Sequence, residues 1–179
     1  MPSYTRLKNP GGCYFFTVVT YKRRKVLCLP EVRTALRQAI NNVRQTMPFE
    51  IVAWVLLSDH LHCIWTLPEG DSNYAMRWAK IKSQVTRQCK HIASQNLTTT
   101  KTTKGELGFW QSRFWEHQIR DKKDLENHLN YIHYNPVKHG FCQIASQWQF
   151  STLHRYIKQH KYSENWGEGI NIPEGTGSE

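Results

Sequence analysis

The 179-residue chain has no long apolar run. Its longest aliphatic stretch, residues 51–57, is seven residues, far short of the roughly 20 that a membrane-crossing helix needs. The opening Met1-Pro2-Ser3-Tyr4-Thr5-Arg6 lacks an apolar signal core, so the expectation is a soluble, cytoplasmic protein without a membrane partner. Cysteine is sparse and unpaired in pattern: Cys13, Cys28, Cys63, Cys89 and Cys142 are odd in number and at least fifteen residues apart. That spacing excludes a disulfide framework and a closely spaced zinc knuckle, and leaves reduced thiols. Acidic charge is scarce as well, with 14 Asp and Glu against 24 Lys and Arg, a net charge of +10. Four of the acids and a single lysine fall in residues 161–179, so residues 1–160 carry +13. A surface this basic favours polyanions, nucleic acid first.

The length suits one domain, and we place it at residues 1–160, followed by an acidic, flexible tail at 161–179. After Pro10-Gly11-Gly12, residues 13–21 are aromatic and β-branched and read as a strand. Val32, Leu36, Ala39, Ile40 and Val43 recur at helical spacing between Pro30 and Pro48. Residues 49–57 and 60–67 read as two strands of a hairpin, broken by Ser58-Asp59. Ala75, Trp78, Ile81, Val85 and Cys89 mark a second helix over 73–93, with a basic outer face. Residues 95–108 form a polar loop. A strand-like aromatic run occupies 109–119, and a helix starting at Asp121 runs to a stop at Asn135-Pro136. A short helix over 151–160 ends the domain. This order predicts an α+β, ferredoxin-like sandwich with a mostly antiparallel sheet of four to five strands covered by helices.

Two groups of residues can carry chemistry. His60 and His62 lie two apart on a strand and so share one face, where two imidazoles can hold a divalent metal with a third ligand from elsewhere. The ordinary alternative is a pair of polar residues on a half-exposed surface. Tyr131 and Asn135 are four apart near a helix end and share a helix face. A phenol attacks well only when a metal or cationic neighbours stabilise its oxyanion. Lys138 and Arg120 can supply such charge; the ordinary alternative is a packed core tyrosine.

His60-Leu61-His62 matches the His-hydrophobic-His motif of the HUH endonucleases, and Tyr131 to Gly140 (Tyr-Ile-His-Tyr-Asn-Pro-Val-Lys-His-Gly) resembles the nucleophile block of single-tyrosine transposases. With Phe114-Trp115-Glu116-His117-Gln118-Ile119-Arg120 ahead of it, the chain is similar to the REP-associated tyrosine transposases over roughly residues 5–155. Leu57-Ser58-Asp59 stand where that family commonly has Met-Pro-Asn. Asp59 is then either a carboxylate orienting an imidazole or a turn residue.

The resemblance implies His60, His62 and Asn135 as ligands of Mg²⁺ or Mn²⁺ and Tyr131 as nucleophile, with Tyr134 as the fallback. It implies single-stranded or hairpin DNA as the partner, cut through a covalent 5′-phosphotyrosine and rejoined, by a monomer with a dimer as the alternative. Lys22, Arg23, Arg24, Arg77, Lys80, Arg120 and Lys138 are the expected DNA contacts. Two other classes fit a basic α+β domain: a non-catalytic nucleic-acid-binding module, and a metal-dependent nuclease using activated water.

Overall fold

The computed structural model describes residues 9–94, 108–167 and 176. The polar loop from 95 to 107 and most of the acidic tail lie outside the described residues. Four strands, β1 (Cys13–Val19), β2 (Glu50–Leu56), β3 (His60–Thr66) and β4 (Trp115–Gln118), form one sheet in the order β2-β3-β1-β4. All three pairings are antiparallel. The helices are α1 (Pro30–Thr46), α2 (Tyr74–Gln88), α3 (Lys90–Ser94), α4 (Lys122–Lys138) and α5 (Leu153–Lys158). The strand order and the β-α-β-β-α-β sequence that produces it are those of the expected ferredoxin-like sandwich, with α4 added.

The sheet is covered on both sides, which is why its central strands are buried along almost their whole length rather than on alternate residues. Tyr14, Phe16 and Val18 of β1 and Leu61, Cys63 and Trp65 of β3 pack under α1 and α2. Phe15 of β1 and Ile64 of β3 face the other way, into a smaller core with Tyr131 and Ile132 of α4. The alternation puts His60 and His62 on the α4 side with Ile64.

Three expectations need correction. The single helix expected over 73–93 is broken at Cys89, whose backbone leaves the helical region so that Cys89 and Ile92 both reach the core. The strand expected over 109–119 is regular only at Trp115–Gln118. Phe109–Gln111 instead extends β1, through a bridge between Trp110 and Thr20 and bonds from Tyr21 N–H to Phe109 O and from Gln111 N–H to Val19 O. Pro136 does not stop α4, which runs two residues beyond it. A proline in the last turn forfeits one bond to the carbonyl four residues back. The turn is closed all the same, because the His139 N–H donates to Asn135 O and the Gly140 N–H to Val137 O. At the other end Asp121 caps α4 by accepting from the Asp124 N–H at 2.9 Å.

Beyond α4 the chain returns along the free edge of β2. Leu56 N–H donates to Phe150 O, Trp54 N–H to Thr152 Oγ1 at 2.8 Å, and Trp148 Nε1–H to Leu56 O at 3.0 Å. An edge strand left open would template pairing with another chain; here the C-terminal segment occupies it. The start of the acidic tail docks as well, with Tyr162 Oη donating to Asn130 Oδ1 at 3.0 Å and its ring packed on Trp166. No described helix is long and apolar enough to cross a membrane.

Candidate active site

β3 and α4 bring the two residue groups together. His60 and His62 are both buried, with ring centroids 4.8 Å apart. Tyr131, also buried, sets its ring edge-to-face against His62 at 5.1 Å. One turn further along α4 is Asn135, wholly buried. On the following turn Lys138 holds its Nζ 5.0 Å from the centre of the Tyr131 ring. At the helix end, the exposed His139 reaches within 5.3 Å of the His60 ring. Residues 131, 135, 138 and 139 therefore form the α4 face that overlies the histidine pair.

Each imidazole is held through its Nδ1. His60 Nδ1–H donates to Asp59 Oδ1 at 2.7 Å, and Asp59 is in turn gripped by Arg23, whose Nη1 lies 3.1 Å from Oδ2. Burial pushes the Asp59 carboxyl up, but the hydrogen bonds and charges of His60 and Arg23 outweigh it and hold the pKa below the usual carboxylate value. His62 Nδ1 lies 2.9 Å from Thr17 Oγ1, its directly opposed neighbour in the β1–β3 register. With Nδ1 engaged in both rings, Nε2 is the nitrogen each can offer to a metal, the usual way an outer partner fixes tautomer and ring orientation. Two imidazole nitrogens and one carboxamide oxygen make a three-donor set that fits a divalent ion with positions left for a phosphate oxygen and water.

A second cluster lies on the same side of the sheet, where His117, Asp124 and His128 bring ligand atoms within 4.8 Å of one another. Its geometry is that of a clamp. His117 Nε2–H donates to Asp124 Oδ2 at 2.8 Å, the Arg120 N–H donates to the same oxygen at 3.0 Å, and His128 Nδ1–H donates to the Asp124 carbonyl at 2.8 Å. The two imidazoles stack 4.6 Å apart and only 14° from parallel, and one nitrogen of each is already engaged with Asp124. Burial opposes the Asp124 charge, yet these hydrogen bonds lower its pKa to about 2. The cluster ties β4 to the first turn of α4 and thereby fixes the rotation of the helix that carries Tyr131.

The other expected residues are scattered. Tyr134 faces the C-terminal segment, close to Ala145 and Gly167, on a different side of α4 from Tyr131. Lys22, Arg23 and Arg24 lie in a tight turn after β1, where Lys22 and Arg23 have φ of 53° and 51°. Lys80 is exposed on α2. Arg120 is exposed and salt-bridged to Asp124. Arg77 is the one expected DNA contact that cannot serve: it is fully buried, its Nη2 lies 2.7 Å from Asp71 Oδ2, and it also donates to the carbonyls of Met47, Pro48 and Asn73. It pins the start of α2 to the loop between α1 and β2.

Sequence reasoning passed over His139 and Thr17. A histidine four residues after Asn135 on a helix that already carries Tyr131 was a usable signal for the first. Thr17 could be found only from the strand register.

A family model described as "Transposase IS200 like" matches residues 11–135. The chain is 44% identical over 170 residues to the REP-associated tyrosine transposase of Escherichia coli K12, covering 95% of this chain and 93% of that protein. It is 45% identical over 167 residues to a Haemophilus influenzae Rd protein given the same name provisionally, covering 93% of this chain and 94% of that one. A solved structure of a REP-associated tyrosine transposase bound to a REP hairpin superposes with a TM-score of 0.83 at 40% identity, covering 100% of this chain and 98% of that one.

Proposed function

Because the chain belongs to the REP-associated tyrosine transposases of the IS200-like transposase family, we propose that it is a metal-dependent enzyme that nicks and rejoins single-stranded DNA beside hairpins, with Tyr131 as the nucleophile. The observation that carries this reading is the ring of Tyr131 at 5.1 Å from His62, beside a histidine pair whose outer nitrogens are already engaged. His60, His62 and Asn135 would hold the divalent ion, Mg²⁺ or Mn²⁺, and when bound it supplies Lewis-acid polarisation of the scissile phosphate.

The chain's own residues do the rest. The Tyr131 phenol loses its proton and its oxygen bonds to phosphorus. The P–O3′ bond breaks, and the departing 3′ oxygen takes up a proton. The product is a 5′-phosphotyrosine with a free 3′-hydroxyl, and an incoming 3′-hydroxyl reverses the exchange to join strands, so no nucleotide cofactor is consumed. Lys138 Nζ, 5.0 Å from the Tyr131 ring centre, offers positive charge to the phenolate as it forms and to the phosphate it attacks. Asp59 and Thr17 keep the two imidazoles aimed. All of these groups come from one chain, which supports a monomer with a complete site; we read its place of action as the cytoplasm. The relative solved with a REP hairpin supports hairpin DNA as the substrate. Lys22, Arg23, Arg24, Lys80 and Arg120 would contact its phosphates.

The test is denaturing electrophoresis of labelled hairpin DNA with a single-stranded flank, incubated with Mg²⁺, Mn²⁺ or EDTA. We expect a protein–DNA adduct with metal, none with EDTA, and none from Tyr131→Phe. Cleavage without an adduct would replace this reading with a hydrolytic nuclease, and hairpin binding without cleavage would replace it with a passive module.

A further inference from the structure

Strand β1 runs between β3 and β4, and its Phe15 ring lies 5.5 Å from that of His62 and 4.9 Å from that of His128. The aromatic ring thus stands between the proposed catalytic pair and the cluster of His117, Asp124 and His128, and the two groups have no residue in common. The cluster is assembled from two elements. His117 comes from β4, where it is the register partner of Phe15, and Asp124 and His128, four residues apart, share one face of α4. Donor atoms of all three lie within 4.8 Å of one another, close enough for a single cation to reach each of them.

The donors are already spaced for coordination. His117 Nε2 is 2.8 Å from Asp124 Oδ2, and His128 Nδ1 is 3.1 Å from Asp124 Oδ1, so each carboxylate oxygen faces one imidazole. Zinc bonds of about 2.0–2.2 Å set tetrahedral neighbours about 3.4 Å apart, so an entering cation spreads each nitrogen only slightly from its oxygen. The ion takes the place of the shared protons. His117 then coordinates through Nε2 with its proton on Nδ1, and His128 through Nδ1 with its proton on Nε2. Two imidazoles and one carboxylate suit Zn²⁺ and its transition-metal neighbours better than Mg²⁺, which favours oxygen donors. His117 is the way in: 25% of its side chain is exposed, against 5% for His128 and 8% for Asp124. It is therefore the ring with room to turn out of its stack on His128 until both lone pairs meet the ion. Arg120 is the competing cation, with Nε 3.2 Å from Asp124 Oδ2, and with 74% of its side chain exposed it can leave for solvent. Its backbone N–H, 3.0 Å from the same oxygen, stays to orient the carboxylate.

We propose that His117, Asp124 and His128 form a second cation site, selective for zinc-like transition metals and separate from the catalytic one, that locks β4 to the first two turns of α4. Without the ion the three residues are joined by hydrogen bonds; with it they are joined by coordination bonds, and the helix that carries Tyr131 is pinned more tightly. The site goes beyond the cleavage reading and stands whether or not the chain cuts DNA.

Equilibrium dialysis of the full chain against Zn²⁺, with the bound metal counted, tests it on wild type, His117→Gln, His60→Gln/His62→Gln and Arg120→Gln. We expect His117→Gln to hold one equivalent fewer than wild type and His60→Gln/His62→Gln to keep that equivalent. Arg120→Gln, a change at an exposed side chain, should bind it about two- to fivefold more tightly, because a like charge has been taken from the carboxylate. Trp115 lies parallel to His117, 6.0 Å away and 7° from coplanar orientation, so Co²⁺ bound at that ring should quench tryptophan fluorescence, and Trp115→Phe should lose the quench while keeping the zinc count. Zn²⁺ should also raise the thermal unfolding midpoint of wild type and of His60→Gln/His62→Gln, and raise it less in His117→Gln. Equal zinc counts in wild type and His117→Gln would overturn the proposal, as would loss of the equivalent in His60→Gln/His62→Gln or weaker binding by Arg120→Gln. None of these measurements involves DNA, so they stand apart from the test of Tyr131.

Discussion

As the proposed metal ligands, His60 and His62 would depend on the neighbours that hold their other nitrogen, Asp59 and Thr17. Asp59 and Thr17 therefore control the site without touching the substrate, and their replacement should act on metal affinity before anything else. Removing an outer partner of a ligating histidine typically costs about 10- to 100-fold in metal affinity. Thr17→Val keeps the shape of the strand residue and deletes the bond to His62 Nδ1; Asp59→Asn keeps an acceptor for His60 but removes the charge that Arg23 grips. We expect both variants to need about tenfold or more Mn²⁺ for half-maximal adduct, with the adduct recovered at saturating metal. A loss that excess metal does not rescue would show that the two residues act on the fold instead. At this scale the sequence was readable where a side chain's placement follows from its own neighbours: two residues apart on a strand for His60 and His62, four apart on a helix for Tyr131 and Asn135. Thr17 was not readable, because it meets His62 only through a pairing 45 residues apart in the chain. Arg77 was misread because a cation beside an apolar stripe reads as solvent-facing, and its buried place depends on Asp71 and three carbonyls gathered from two loops.

α4 is the element on which the site turns, since one helix carries Tyr131, Asn135, Lys138 and His139. Its placement is set at its first turn. Asp121 caps the helix, and Asp124 ties it to β4 through His117. The Asp121→Ala variant should lose about 1 kcal/mol, the usual worth of an N-cap, and keep the metal dependence of adduct formation. Asp124→Ala strands the buried partners of a charged group and should cost about 2–3 kcal/mol. It should also lower adduct yield at temperatures where circular dichroism still shows a folded protein, because Tyr131 is then no longer held at a fixed rotation over His62. Equal yields from the two variants at matched folded fraction would remove the clamp from the account. The periodicity of α4 was legible and its end was not: Asn135-Pro136 reads as a stop, yet the last turn tolerates a missing N–H when capping bonds from His139 and Gly140 close it. The strand order was legible from element order and chain-connection rules. The division of residues 109–119 between β1 and β4 was not, since an aromatic run carries no mark of which strand it will pair with.

The C-terminal segment joins the layers of the molecule, sealing the β2 edge and packing on the back of α4. Its keystone is His133, fully buried, with Nε2 3.1 Å from Thr152 Oγ1 and its ring against those of Tyr156 and Tyr162 at 5.0 and 5.3 Å. Burial, helped by the positive charge of Arg155, lowers its pKa to about 3. Of the titratable rings around it, Tyr162 is pushed up to about 12 by its own burial and Tyr156 is also raised, so no anion forms there to offset an imidazolium. The direction of the pH effect follows from this. Above the unfolded-state pKa near 6.5 the ring is neutral in both states and costs nothing. Below it the unfolded chain binds a proton that the folded chain refuses until about pH 3, so stability falls as pH falls across that window, by at most about 1.4 kcal/mol per pH unit. Urea unfolding at pH 7.5 and pH 5 should therefore show wild type losing about 2 kcal/mol more than His133→Gln, which can hydrogen-bond to Thr152 but cannot titrate. Parallel losses would assign the acid sensitivity to other histidines, of which the chain has eight. If the difference is found, mild acid should release the C-terminal segment from α4 and β2 as a unit.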